Sequence, residues 1–211
     1  MALQTAIGYP EFARLIRHGS RDFGIDLDEA AVGRLFMYFQ ELRRWNRKMN
    51  LISRETAEQA IVEKHFVDSL ALLMLLDEKQ DCLLDVGSGA GFPGLVCKIA
   101  RPEMAVRLVE PRLKRVSFLR HVIRCCELTD ISVQSCRLED LSAGEGEPRF
   151  TCIACRAVSD VVHFLALCER FCAADRRVIC MKGPKFREEI DACPGGYGPW
   201  QLETLSEYNL P

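Results

Sequence analysis

The spacing of apolar residues divides the chain into a helical first third and an alternating remainder. Over residues 11–76, apolar residues recur every three or four positions, which is the period of helices with one buried face. Asp28 is predicted to cap the second of these helices, and a third is predicted over 58–76. The apolar face of the second helix comprises Val32, Leu35, Phe36, Phe39 and Leu42.

Beyond a polar connector at residues 77–81, short apolar runs alternate with helical segments. Strands that are separated by helices pair in parallel, so this order predicts an α/β fold with a mostly parallel, doubly wound sheet. We place a domain boundary in the connector, between an N-terminal helical extension (1–77) and a ligand-binding domain (78–211). The expected strands are 82–84, 106–110, 131–135, 151–154 and 177–181, with helices at 112–127 and 160–172 and a possible edge strand at 201–205.

The most distinctive stretch begins where the first expected strand ends. It reads Asp85-x-Gly87-x-Gly89-x-Gly91, followed by Phe92-Pro93-Gly94. Glycine accepts backbone conformations that other residues avoid, and the proline suits the start of a helix. A strand, a glycine loop and a helix start in this order let a ligand lie against bare backbone and free N–H groups.

Two ligands fit this loop. The spacing Gly89-x-Gly91-x-x-Gly94 fits the dinucleotide fingerprint, with Glu110 at about the twenty-residue distance that the fingerprint requires. The full glycine series is also similar to motif I of S-adenosylmethionine-dependent methyltransferases. There the glycines approach the methionine moiety, and an acid that ends the second strand holds the ribose. Asp85, placed before the first glycine, favours the methyltransferase.

Composition and charge narrow the function classes. The chain has 211 residues, 48% of them hydrophobic, with a net charge of -2, which is too little positive charge for a bulk nucleic-acid binder. Any RNA contact must therefore use a local basic patch. The segment Arg43-Arg44-Trp45-Asn46-Arg47-Lys48 is the candidate, and it is either a solvated helix end or a patch that contacts phosphates.

The 11 cysteines mostly lie in apolar runs, where cysteine behaves as a small hydrophobic residue. Cys152-x-x-Cys155 has no second pair to complete a zinc site, so no metal is expected. This usage indicates a reducing compartment, and the sequence contains no signal peptide or bilayer-spanning run, so we expect a cytoplasmic protein. His65 and Asp68 share one helical face, as an acid–base pair or a structural pair.

Several segments, in order over roughly residues 35–190, resemble the bacterial 16S rRNA guanine-N7 methyltransferase family, once called glucose-inhibited division protein B. The family often has Asp-Ser where this chain has Glu110-Pro111, and it usually continues with a further basic strand beyond the position of Pro211. The matching segments are Trp45-Asn46-x-x-x-Asn50-Leu51, Lys64-His65-Phe66-Val67-Asp68-Ser69-Leu70, Leu84 through Gly94, Lys114-Arg115-Val116-x-Phe118-Leu119 and Arg156-Ala157-Val158.

The resemblance implies a Rossmann-like fold, S-adenosylmethionine as cofactor, and methyl transfer to N7 of one guanine in 16S rRNA, as naked RNA or in the small subunit. We also expect a monomer. By resemblance, Glu110 holds the ribose, Leu138 and Glu139 lie at the adenine, and Arg156 reaches the methionine carboxylate or the substrate. The remaining cofactor residues are Asp85, Gly87, Gly89, Gly91 and Phe92, and the RNA-binding residues are Arg43, Arg44, Lys48, Lys114 and Arg115.

The chemistry at N7 explains why the sequence offers no obvious catalytic base. N7 carries a lone pair and is unprotonated at neutral pH, so the enzyme has only to align the reacting atoms. An arginine that grips both O6 and N7 would block the acceptor, so we expect Arg156 or Lys182 to reach O6 alone, with Phe92 or Phe186 near the base. The alternatives are a small-molecule methyltransferase with a helical lid, a non-catalytic assembly factor that binds the cofactor, and an NAD-dependent oxidoreductase.

Overall fold

The computed structural model describes residues 6–76, 82–142, 150–156, 160–171, 176–184, 186–191, 198–203, 207, 208 and 210. Five parallel strands form one sheet in the order β3-β2-β1-β4-β5, which confirms the predicted α/β class. The order reverses at β1, because this strand pairs with β2 on one side and with β4 on the other. The strands are β1 (Cys82–Val86), β2 (Ala105–Val109), β3 (Ile131–Gln134), β4 (Cys152–Arg156) and β5 (Arg177–Met181).

Eight α-helices lie in the described part of the chain, and a short 3₁₀ turn directly follows two of them, α4 and α7. They are α1 (Tyr9–Asp22), α2 (Glu29–Asn46), α3 (Glu58–Ile61), α4 (Asp68–Leu70), α5 (Gly94–Ala100), α6 (Leu113–Cys125), α7 (Val161–Cys168) and α8 (Phe186–Asp191). Asp28 caps α2 as predicted, since its carboxylate accepts a hydrogen bond from Ala31 N at 2.7 Å. None of the helices in these residues is long and apolar enough to cross a bilayer.

The N-terminal helices share a hydrophobic core with the sheet. Buried side chains of α1 and α2, such as Phe12 and Phe39, belong to the same cluster as Leu83 of β1 and Leu108 of β2. Helices α2 and α6 also pack directly, with the Trp45 ring 5.6 Å from that of Phe118. The predicted domain boundary falls within residues 77–81, outside the described residues, and stays a prediction.

The segment predicted as one helix over 58–76 is helical without a break over 58–75, but its helix type changes three times. A π-helical turn (Val62–Val67) follows α3, and a 3₁₀ turn (Ala71–Leu75) follows α4. At the end of the π turn, the N–H of Asp68 donates to the carbonyl of Glu63, five residues back. Such turns are frequent at functional sites. The expected edge strand is wrong for residues 201–203, and its last two positions lie outside the described residues.

Candidate cofactor site

The glycine loop follows β1 at the carboxyl edge of the sheet, beside the point where the strand order reverses. Gly87, Gly89 and Gly91 have φ values of +71°, +57° and +100°, a region that residues with a side chain rarely adopt. Gly87 and Gly89 are partly exposed, whereas Ser88 and residues 90–94 are buried. A ligand at this edge therefore meets backbone at Gly87 and Gly89.

The glycines of the loop serve two different purposes. A Cβ on Gly91 would lie 2.3 Å from Leu95 Cδ1 and 2.8 Å from the Tyr38 hydroxyl, so Gly91 permits close packing behind the loop. A Cβ on Gly89 would find its nearest atoms at 3.6 Å, on Arg115 and Gly87, which is ordinary contact. The outer side of Gly89 is thus open to a ligand, while Gly91 contributes through packing.

Asp85 lies beneath the loop and is fully buried. Its Oδ2 accepts a hydrogen bond from Gly94 N at 3.0 Å, which fixes the start of α5, and its Oδ1 has no partner among the described residues. Burial raises the pKa of Asp85 to about 7. In this arrangement Asp85 acts on a ligand through the shape of the loop, and its predicted direct contact stays a prediction.

Glu110 stands immediately after β2 and joins two loops. Its Oε2 accepts a hydrogen bond from Gly89 N at 2.9 Å, and its Oε1 accepts one from Arg112 N at the same distance. Arg115 Nη1 lies 3.8 Å from Oε2. Each carboxylate oxygen retains a second lone pair for a ribose hydroxyl, but the side chain is only 3% exposed, so this contact stays a prediction. The predicted ribose acid is therefore placed directly beside the open glycine.

Arg156, the last residue of β4, connects the strand edge to the segment around the π turn. Its Nε lies 2.8 Å from Asp68 Oδ2, and its Nη2 donates to Lys64 O and approaches His65 Nδ1 at 3.1 Å. The guanidinium carbon lies 5.9 Å from the centroid of the Phe92 ring, in the range of a cation–π contact. This cation is thus held against the glycine loop.

Phe92 is enclosed by other rings and is only 7% exposed. Its ring stacks on that of His65, with centroids 5.1 Å apart, and on that of Tyr38, with centroids 5.4 Å apart. The side chain therefore forms the wall behind the loop, and its predicted contact with a guanine base has no exposed ring face to use in this arrangement.

His65 and Asp68 are not hydrogen-bonded to each other, because each is directed to Arg156. Burial, followed by the charges of Arg156 and Lys64, lowers the pKa of His65 to about 4. The ring is therefore neutral near pH 7, and its Nδ1 can accept from the guanidinium. The structure supports the structural interpretation of this histidine over the acid–base one.

The other predicted site residues are distributed around the same edge. Lys182 follows β5, and its Nζ lies 2.7 Å from Glu189 Oε2 of α8. Leu138 is buried in the core, so its side chain cannot touch a ligand, whereas Glu139 is exposed and its carbonyl accepts from Arg170. The predicted roles of Lys182, Leu138 and Glu139 stay predictions, as does the expected position of Phe186 near the guanine base.

The predicted RNA-binding residues fall into two groups. Arg43 pairs with Glu58 at 2.5 Å and Arg115 lies against Glu110, so both are engaged within the chain. Arg44, Lys48 and Lys114 are exposed. The Trp45–Phe118 contact joins the C-terminal end of α2 to the middle of α6, about one turn after Lys114. We call the exposed set the basic rim: Arg44, Arg47, Lys48, Arg112 and Lys114.

Two tyrosines that reasoning from the sequence missed belong to this site. Tyr38 is fully buried on α2, and its hydroxyl donates to the carbonyl of Ala90 in the glycine loop. A tyrosine on the apolar face of a helix needs a partner for its hydroxyl, which is the signal that could have identified it. Tyr208 donates to Asp68 Oδ1 at 2.7 Å, and no local pattern points to that contact.

Cys152 and Cys155 are buried thiols in β4. In the part of the chain that the structure describes, no group of three or more histidine, cysteine or acidic side chains is arranged to hold a metal ion. The expectation of a metal-free protein stays a prediction.

Comparison with known proteins identifies the family. The family described as GidB, rRNA small subunit methyltransferase G, matches residues 32–199. The protein named ribosomal RNA small subunit methyltransferase G from Desulfotalea psychrophila is 45% identical over 203 residues, which cover 95% of this chain and 93% of that protein. The protein of the same name from Syntrophotalea carbinolica is 40% identical over 172 residues, 81% and 77% of the two chains.

A solved structure shows the same fold at low sequence identity. A variant of MtNAS in complex with S-adenosylmethionine superposes with a TM-score of 0.51 and 15% identity, covering 88% of this chain and 86% of that one. The family match extends over most of the chain, and the relatives are well above 30% identity. The chain therefore belongs to the rRNA small subunit methyltransferase G family.

Proposed function

We propose that this protein transfers the methyl group of S-adenosylmethionine to N7 of one guanine in 16S rRNA, and that it does so in the cytoplasm, where ribosomal subunits assemble. The observation that carries the proposal is the open backbone at Gly89, hydrogen-bonded to the carboxylate of Glu110. This pairing of bare backbone with an acid at two adjacent strand ends suits a nucleoside that carries an amino-acid tail. The relatives' printed names supply the class of substrate.

The residues present fit this cofactor. When bound, S-adenosylmethionine supplies an electrophilic methyl group. Gly87 and Gly89 would accommodate its methionine end, and Glu110 would accept from its ribose hydroxyls. Arg156 provides a cation at the adjacent strand end, where β4 pairs with β1. Together these residues would bind and orient the donor, which is the main task left when the acceptor needs no activation.

The electrostatics of the edge also suit an unprotonated acceptor. His65 is neutral at pH 7, and the cations Arg156 and Lys182 are paired with Asp68 and Glu189. A guanine N7 has no proton to lose, so this reaction needs no base, and Asp85, whose pKa is about 7, is fully buried beneath the loop. The expected monomeric state stays a prediction.

The decisive experiment follows a labelled methyl group. The protein is incubated with methyl-labelled S-adenosylmethionine and total bacterial RNA, and the RNA is then mapped and digested to nucleosides. We expect label in 16S rRNA, as N7-methylguanosine at one position. Binding of the cofactor without any label in the RNA contradicts the proposal, and it leaves the assembly factor and the small-molecule methyltransferase as the alternatives.

The basic rim should carry part of the RNA affinity. Reversing the charges of Arg44 and Lys48 to glutamate is expected to weaken RNA binding roughly tenfold at moderate salt and to lower the salt slope by about 1 to 2, because two phosphate contacts are lost. Affinity for S-adenosylmethionine should not change. Filter binding across a salt titration measures both quantities.

The matched control for the rim reverses Arg14 and Arg21, two exposed cations of α1 that lie outside the glycine loop and the basic rim. It changes the net charge by the same amount. If both double variants bind RNA with the same salt slope, the rim is only a solvated helix end.

The pH profile of methyl transfer should be flat. With cofactor and RNA saturating, single-turnover rates between about pH 6 and 9 are expected to show no rise, because N7 needs no deprotonation. His65 becomes charged only as the pH falls toward about 4, below this window, so it cannot contribute a titration there. His65→Gln should lower the rate through positioning and leave the profile flat.

If the rate of methyl transfer does rise with pH, two variants identify the group that causes the rise. A rise that is present in the parent chain and lost in His65→Gln would contradict the base-free mechanism. Asp85, with a pKa of about 7, titrates within the window. A rise that persists in His65→Gln and disappears in Asp85→Asn would therefore come from titration of Asp85 beneath the glycine loop. It would contradict the predicted flat profile but not the base-free mechanism.

A further inference from the structure

We propose that Asp68 is a positioning residue that orients Arg156 toward the carboxylate of S-adenosylmethionine, and that Tyr208 holds Asp68 in place for this purpose. The inference rests on the proposed function, because it concerns the same cofactor. It assigns roles to two residues that do not touch the glycine loop.

The guanidinium of Arg156 is held from one side. Nε and Nη2 are engaged by Asp68, by the carbonyl of Lys64 and by the ring nitrogen of His65, while Nη1 has no partner among the residues that the structure describes. Because the guanidinium is planar and rigid, fixing Nε and Nη2 also fixes the direction of the Nη1 donors. The fixed group lies against Phe92 of the loop, where β4 and β1 end side by side.

Asp68 is itself held at both oxygens. Oδ2 receives Arg156, and Oδ1 receives the Tyr208 hydroxyl, whose ring packs edge-to-face on Phe23 with centroids 5.3 Å apart. The side chains of Asp68 and Arg156 are only 16% and 19% exposed. An ion pair that is this enclosed is geometrically defined, in contrast to exposed pairs that contribute little.

The π turn sets the three groups around the guanidinium. In this turn the N–H of Asp68 bonds the carbonyl of Glu63, so it does not take the carbonyl of Lys64, four residues back, which a regular α-helix would use. That carbonyl accepts from Arg156 instead. His65 is neutral, and its Nδ1 faces Nη2 of Arg156, the nitrogen that also donates to the Lys64 carbonyl.

Charge and geometry make opposite predictions for Asp68. If its negative charge mattered most, removing it would strengthen the attraction between Arg156 and a cofactor carboxylate. If positioning matters most, removing it weakens binding, because the arginine side chain regains conformational freedom that binding must then remove. We infer that positioning dominates, since Arg156 keeps its own charge in either case.

The experiment compares S-adenosylmethionine with its decarboxylated analogue, which lacks only the carboxylate, by calorimetry. In the parent chain Arg156 should favour the carboxylated ligand, and Arg156→Ala should lose that preference. Asp68→Ala should bind S-adenosylmethionine about tenfold more weakly, the scale of immobilising an arginine side chain. Asp68→Asn keeps an acceptor for Nε and should restore affinity to within about threefold. Neither variant should change the affinity for the decarboxylated analogue.

Glu11→Ala is the matched control, because it breaks an exposed arginine–carboxylate pair with Arg14 on α1. It should leave both affinities unchanged. Tyr208→Phe is the milder test and remains decisive if Asp68→Ala does not fold. It should weaken binding of S-adenosylmethionine about threefold and leave binding of the analogue unchanged. The effect is small because the lost hydrogen bond is to Asp68, which reaches the ligand only through Arg156.

Two results with Asp68→Ala would overturn the inference: tighter or unchanged binding of S-adenosylmethionine, or an equal loss of affinity for both ligands. A preference for the carboxylated ligand that survives in Arg156→Ala would also overturn it. If Asp68→Ala does not fold, unchanged affinity of Tyr208→Phe for S-adenosylmethionine would do so. In each of these the parent chain still binds the cofactor, so the proposed function stands. A parent chain that binds neither ligand contradicts the proposed function and this inference with it.

Discussion

Replacing Gly89 with valine is expected to abolish binding of S-adenosylmethionine while the chain remains folded. The substituted side chain would project from the open side of the loop, where the nearest protein atoms are 3.6 Å from the Cβ position, and would occupy the ligand's space. A valine at a φ of +57° is strained by about 1–2 kcal/mol. Calorimetry should therefore show no binding, and the melting temperature should fall by roughly 2–8 °C.

Gly24→Val supplies the matched control for this strain. Gly24 follows the end of α1, has a φ of +69° with no atom within 4 Å of its Cβ position, and lies outside the glycine loop. It should lower the melting temperature by a similar amount and leave the cofactor affinity unchanged. Normal binding by folded Gly89→Val would refute the assignment of the loop to the cofactor.

Replacing Glu110 with alanine should weaken cofactor binding by about 100-fold or more. Two charge-assisted hydrogen bonds to the ribose would be lost, each contributing about 1.5–3 kcal/mol. The same change removes the acceptor for Gly89 N and Arg112 N, so the loop also loses an anchor. Titration calorimetry on the purified variant, with its melting curve recorded in parallel, measures both effects.

A ligand series separates the ribose contact from the loop anchor. The product S-adenosylhomocysteine is compared with its 2′,3′-dideoxy analogue in the parent chain and in Glu110→Ala. If Glu110 accepts from the hydroxyls, the analogue binds the parent chain more weakly but binds Glu110→Ala as well as the complete product does. Equal discrimination by both proteins would place the ribose acid elsewhere.

The pattern of the sequence was enough to predict the sheet and its glycine loop. All five strands were expected within one or two residues of their observed ends, because each is a short apolar run bounded by polar or glycine-rich turns. The segment predicted as a helix over 58–76 is helical over 58–75, but part of it takes the π form, which its own sequence does not indicate. Its apolar spacing is helical, but the carbonyl of Lys64 is satisfied by Arg156, 92 residues away in the chain.

The partners of charged residues were the least predictable feature. Arg43 and Arg115 were grouped with the RNA-binding cations by their position in basic segments, yet they pair with Glu58 and Glu110. Composition within a segment cannot reveal an acid that the fold brings to it from elsewhere. The same limit applies to His65 and Asp68, whose spacing is that of a local pair while their common partner lies on β4.

The crowded space behind Gly91 also limits how this family can vary. A side chain at position 91 would have a strained φ of +100° and would collide with the Tyr38 hydroxyl and with Cδ1 and Cγ of Leu95, so an exchange there requires both neighbours to shift. Phenylalanine at position 38 would relieve one collision at the expense of the hydrogen bond to Ala90, and the clash with Leu95 would remain. Positions 38, 91 and 95 should therefore evolve as a linked set, and a homologue without glycine at 91 should differ at both of the others.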